Sequence, residues 1–147
     1  MTVSAKWYGN GLLKALNKEV DWDSDSIKVS LHAVGYVPNQ DTDIYYNQVT
    51  SEVGASGDYV AGGQALGTKT IGYTPGTNVI KVSAAPTVWT GATITARIAV
   101  IYDAATGVAT TEPLLGYVDF GADVSCTAGT FTITWDAAGI FTITPAA

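Results

Sequence analysis

From residue 27 onward, apolar and polar positions alternate with a period of two over most of the chain, the pattern of half-buried strands. Before that point the spacing is helical. Leu12, Leu13 and Leu16 fall on one face and predict a helix of two or three turns within residues 7–17, with Asn10 capping its start. Gly9 and Gly11 weaken that start. The segment DWDSDS then reads as an exposed turn.

In the first strand, Ile27, Val29 and Leu31 alternate with Lys28, Ser30 and His32, so one buried face is expected. DTDIYYNQ reads either as a short helix capped by Asp41 or as a loop, and Val49 and Val53 suggest a short strand. Residues 54–67 hold five glycines and few large apolar side chains, the composition of a loop or mobile excursion, with a brief strand at Tyr59 and Val60. Strands at 68–73 and 78–82 flank a TPGTN turn and form a hairpin. Val88 and Trp89 follow Pro86 and suit an edge strand.

ITARIAVIYD, residues 94–103, is apolar on both faces and predicts a central strand covered on both sides. Another strand follows at 114–120. In TFTITWDAAGIFTIT, Phe131, Ile133 and Trp135 face one way and Thr130, Thr132 and Thr134 the other. A three-residue loop ending at Gly139 makes this a hairpin, with Asp136 opposite Ile140, Trp135 opposite Phe141 and Ile133 opposite Ile143. The fold class is therefore mainly β. A single antiparallel β-sandwich or barrel of about eight to ten strands, with a short N-terminal helix, spans residues 1–147.

Composition sharpens this picture. At 147 residues the chain is one domain and buries about two-thirds of its unfolded surface, enough for a core without disulfides. Only 14% of residues are charged, against about 25% in typical soluble domains. Ala, Thr, Val and 16 Gly take their place. Mean hydropathy is +0.20 with no run of membrane-spanning length, so neither a membrane partner nor a disordered chain is expected. Net charge is −6, and seven basic residues cannot build a phosphate-tracking stripe, which argues against nucleic-acid partners. Cys126 is the sole cysteine and reads as a small buried hydrophobe. The first twenty residues show no signal-peptide core, so export is not expected.

Little chemistry is legible. His32 is the only histidine and lies on the polar side of its strand, where a surface or interface side chain is expected. Asp21, Asp23 and Asp25 copy the first half of an EF-hand loop. Ser26 and His32 then stand where that loop needs Gly and Glu, so a solvated acidic turn is expected instead. Glu112, Asp119, Asp123 and Asp136 are scattered, and their spacing does not assemble a two-carboxylate site. No catalytic residue, cofactor or metal is expected. Arg97, the only arginine, interrupts the most apolar strand, so it must reach solvent, pair with a carboxylate or face another subunit. Asp103 and Asp119 are the candidate carboxylates by position in neighbouring strands, should it pair within the chain. Trp7, Tyr8, Tyr45 and Tyr46 lie outside the clear strands, either covering the ends of the sandwich or docking on a partner.

The segments LKALNKEVDWDSDSIKVSL, YVPNQDTD, YVAGGQAL, ITARIAVIYD, PLLGYVDFGADVS and FTITWDAAGIFTI, in this order, resemble a family of small virion structural proteins of tailed bacteriophages. The similarity covers nearly the whole chain. It implies a capsid decoration (cement) protein that binds the major capsid protein on the outside of the assembled head. Such proteins are commonly homotrimers at three-fold or quasi-three-fold positions, made in the host bacterial cytoplasm. The family supplies no catalytic motif to carry over. A tail, neck or fibre component, or a host-glycan-binding module, is the alternative reading. An enzyme is a third, which would have to use His32.

Overall fold

The computed structural model describes residues 3–146. Among these residues are eight strands and one α-helix: β1 (Ser4–Trp7), α1 (Gly9–Leu16), β2 (Ile27–His32), β3 (Gln64–Ala65), β4 (Thr70–Thr74), β5 (Val79–Ser83), β6 (Thr87–Asp103), β7 (Leu114–Ile133) and β8 (Phe141–Ile143). All pairings are antiparallel. One sheet runs β1-β7-β6-β2-β3 and the other β4-β5-β8, consistent with a β-sandwich.

The two longest strands carry the architecture. β6 is apolar on both faces, as its sequence predicts, and a core lies on each side of it. Ala99 and Ile101 join the main core, while Ile98, Val100 and Tyr102 join a second, tyrosine-rich cluster. Near Ala96 the β6–β7 register shifts, and such irregularities bend a ribbon. Beyond the shift, Thr87–Trp89 pair with Phe131–Ile133. Trp89 is fully buried there, its ring 5.5 Å from Tyr59 and 6.1 Å from Phe131. Val88 and Trp89 thus begin the second-longest strand rather than forming a separate edge strand. The free side of this stretch is covered by a loop: Asp58 N donates to Thr90 O at 3.1 Å and Thr93 N to Ser56 Oγ at 2.8 Å.

The helix has just over two turns, within the predicted range, but Tyr8 rather than Asn10 occupies its N-cap. Its leucines do not form the buried face. Leu13 is 54% and Leu16 78% exposed, and the residue packed inward is Gly11. A Cβ at Gly11 would lie 2.2 Å from Leu114 O, so the helix approaches the β7 backbone through its missing side chain.

Residues 54–67 are an excursion held against β2 and β6 by backbone contacts. Gly63, at φ +71°, passes so close to β2 that a Cβ would lie 1.9 Å from Val29 O. The brief strand expected at Tyr59 is a single bridge between Ser56 and Tyr59, and that expected near Val53 is a bridge between His32 and Glu52. DTDIYYNQ contains one turn of 3-10 helix, Tyr46–Gln48, capped by Tyr45 rather than Asp41.

The 70–83 hairpin forms as predicted, with Ile71 opposite Val82 and Tyr73 opposite Ile80. The C-terminal hairpin does not. Its turn is present, with Gly139 N donating to Asp136 O at 2.9 Å and Gly139 at φ +113°. The chain then crosses to the other sheet, where β8 pairs with β5: Phe141 lies opposite Val82 and Ile143 opposite Ile80. Packing explains the switch. Phe141 sits 4.5 Å from the Trp7 ring and occupies the space where a Cβ at Gly116 would be.

Candidate functional site

The structure does not gather the five residues singled out from sequence into one surface, although Tyr8 and Tyr46 share the second cluster. Tyr8 is fully buried, with its hydroxyl 2.7 Å from Tyr36 Oη, and Tyr36 donates to Asp43 Oδ2 at 2.8 Å. Burial, followed by these neighbours, raises its pKa well beyond the usual tyrosine range. Tyr8 is therefore an interior residue, not a docking residue. Tyr46 stacks on Tyr102 at 3.9 Å and 10°, half-buried in the same second cluster. Tyr45 is half-buried with Lys14 Nζ 4.9 Å from its ring centroid, a cation–π contact. Trp7 ends β1, half-buried against Phe141.

Arg97 pairs within the chain. Its Nε donates to Asp119 Oδ1 at 2.7 Å on the neighbouring strand, and Gly121 N donates to the same oxygen at 2.8 Å. The Arg97 hydrogen bond is the main reason the Asp119 carboxyl is held below its ordinary pKa. Of the two partners expected by position, Asp119 is the one. Asp103 is buried at the far end of β6, where its Oδ1 accepts from Ala105 N at 2.8 Å.

His32 departs furthest from its sequence reading, because it is buried rather than at the surface. Its Nδ1 faces the Thr50 carbonyl at 2.9 Å, which can only accept, so Nδ1 carries the proton. Nε2 then accepts from the Ser30 hydroxyl at 2.8 Å. Ser30 is equally buried, so the two buried polar side chains of β2 satisfy each other inside the molecule. The acidic turn also bonds inward. Asp21 Oδ1 accepts from Asp23 N and Ser24 N, and Asp25 Oδ2 accepts from Asp21 N at 2.6 Å. Among the described residues, no group of three or more His, Cys, Asp or Glu side chains could hold a metal ion. Cys126 is half-buried, not fully buried as expected, with Sγ 3.2 Å from Ala92 O.

These buried groups give stability an opposed pH dependence. Burial lowers the pKa of His32 below 6.5, so its contribution is present above that pH and lost as pH falls. Asp103 is pushed up to about 6, first by burial and then by the Asp25 carboxyl, so stability falls as pH rises from 3.8 toward 6. Asp103→Asn removes the second slope. In urea titrations the variant is expected to be more stable than the parent at about pH 7.5. It should also lose stability steadily on acidification below 6.5. A variant with the parent's pH profile would contradict this assignment.

The surface feature that sequence reading missed is an apolar groove of about 240 Å³ between α1 and the three-stranded sheet. Trp7, Leu16, Trp22, Ile71, Ile80 and Ile143 are among its walls. At its margin Ile71 is 50% exposed, and Tyr73, on the same face of β4, is 54% exposed. A second apolar pocket, of about 380 Å³, lies between β1 and the far end of β7, walled by Val3, Phe120, Phe131 and Ile140 among others. One sequence signal could have found the groove: TIGYT carries two large apolar residues and no charge on a short strand. These are the chemical resources of a binding surface, with apolar area and little charge to desolvate.

Compared with known proteins, the chain matches no family model, no curated protein and no solved structure.

Proposed function

We infer that this protein is a structural component of a tailed-bacteriophage virion that decorates the outside of the assembled head. Its partner is the major capsid protein, and its effect is to stabilise contacts between neighbouring shell subunits. The family resemblance supports this reading from the sequence side. From the structural side it rests on one observation: large apolar side chains are exposed on several separate elements. Leu13 and Leu16 lie on α1, Val34 and Val37 follow β2, Ile71 and Tyr73 lie on β4, and Val108 sits in the β6–β7 loop. A subunit that contacts neighbours on more than one side needs such a distribution.

The mechanism is mass action. A protein that binds the expanded shell and not its dissociated subunits stabilises the shell by its binding free energy. Mixing purified protein with expanded shells is expected to give saturable co-sedimentation and density at symmetric lattice sites in a cryo-electron reconstruction. Shells so decorated should lose their DNA at a higher temperature than bare ones. Association with tails alone, or a glycan-array signal without shell binding, would overturn the reading.

A further inference from the structure

We propose that the free edge of β4 docks a second copy of this chain across a two-fold axis, merging two three-stranded sheets into one of six strands. Among the described residues β4 pairs with β5 alone, and all five of its residues are exposed. Soluble proteins guard such edges with charges, prolines or bulges, and Thr70–Thr74 contains none of these.

The strand is close to self-complementary. Laid antiparallel on its own copy and centred on Gly72, it sets Thr70 opposite Thr74 and Ile71 opposite Tyr73, twice over. Thr–Thr and aromatic–β-branched pairs are favourable cross-strand neighbours. At the axis stands Gly72, which adds no side chain to the pair, and nothing lies within 4 Å of its Cβ position on the sheet face. Tyr73 is already oriented, since its hydroxyl donates to Asn78 Oδ1 at 2.8 Å.

Charge also permits a second copy. The residue opposite Gly72 on β5 is Lys81. Its counterpart would stand three strand spacings away, about 14 Å, beyond the screening length of about 8–10 Å. Ile71 and Tyr73 share the inner face of their sheet with Ile80 and Val82, so pairing would join the two apolar grooves and cover exposed Leu16. Pro75 follows directly and ends the edge, and a two-fold contact closes on itself rather than propagating. This contact differs from the three-fold arrangement that the resemblance implies, and it does not depend on the shell reading.

The test uses the full chain. Native mass spectrometry of the parent is expected to give twice the monomer mass. Ile71→Lys should give the monomer mass with an unchanged circular dichroism spectrum. In a Cys126→Ala background, Gly72→Cys should cross-link into a covalent dimer on mild oxidation, while Thr77→Cys in the hairpin turn should not. A parent that stays monomeric, an oligomer that survives Ile71→Lys, or an absent Gly72→Cys cross-link would each overturn the proposal. Dimerisation is read without shells and shell binding by co-sedimentation, so the two readings fail separately.

Discussion

Trp89→Ala is expected to lower the unfolding free energy by about 3–5 kcal/mol, read from urea titrations as a large drop in midpoint. Trp89 is the largest fully buried side chain, and it holds the β6–β7 ribbon down on the main core through Tyr59 and Phe131. Truncation removes the burial of an indole and leaves a cavity that its neighbours cannot close, because they are anchored elsewhere. Tyr59 accepts from Leu31 N at 2.9 Å and donates to Glu52 Oε1 at 2.9 Å, and Phe131 is paired in the β7 ladder. Domains of this size hold about 5–15 kcal/mol in total, so the variant should sit close to unfolding at 37 °C. Val88→Ala, one residue away on the solvent side, is expected to change stability by less than about 1 kcal/mol. Equal effects at the two positions would mean that the ribbon is not seated on the core.

The second large effect has a sign that local propensity gets wrong. Replacing a helical glycine by alanine favours an isolated helix by about 1 kcal/mol. At Gly11 the same change is expected to destabilise the protein by about 2–3 kcal/mol, because the new methyl group overpacks a site with no room. It would lie 2.2 Å from Leu114 O and 2.9 Å from Leu115 Cα, and both contacts are backbone. Neither can retreat easily. Leu114 N donates to Ile44 O at 2.9 Å, and Leu115 O accepts from Tyr8 N at 3.0 Å. Thermal melts should show a clear fall for Gly11→Ala and almost none for Gly54→Ala, where no atom lies within 4 Å of the added carbon. A stabilised Gly11→Ala would show that helix propensity, not contact with β7, governs α1.

The contrast between those two glycines illustrates what was legible. Period-two alternation gave the longer strands and the faces at the end of β7: Phe131 and Ile133 point inward, and Thr130, Thr132 and Thr134 outward. It did not give partners. β8 keeps its predicted alternation, with Phe141 buried and Thr142 exposed, yet pairs with β5 instead of β7. Any antiparallel neighbour satisfies a strand's own pattern, and the choice is made by which cavity the side chains fill. Phe141 fills the one beside Gly116 and Trp7. In β2, alternation reported polarity rather than burial. Ser30 and His32 are interior because residues 33–63 fold over them and supply a carbonyl at Thr50.

The interaction surface was less legible still. Aromatic side chains are conspicuous in a sequence, but Tyr8 turns out to be core and Tyr46 half-buried. The residues that stay open are aliphatic ones whose spacing looked like a core face. Leu13 and Leu16 fit a buried stripe, and only the close approach of Gly11 to β7 turns that stripe outward.

By itself, then, the sequence determined the class of the molecule. Its alternation and its Thr- and Gly-rich composition specify a mainly β fold, the two-sided burial of β6 and the hairpin at residues 70–83. All of these are local or compositional properties of the chain. Tertiary structure decided the rest: which sheet receives the last strand, that the lone histidine is neutral and internal, that Arg97 pairs with Asp119, and that β4 is left as an uncharged open edge beside an apolar groove. Each of these depends on contacts between segments far apart in the chain, where steric fit and hydrogen-bond satisfaction select one arrangement among many that share the same local pattern.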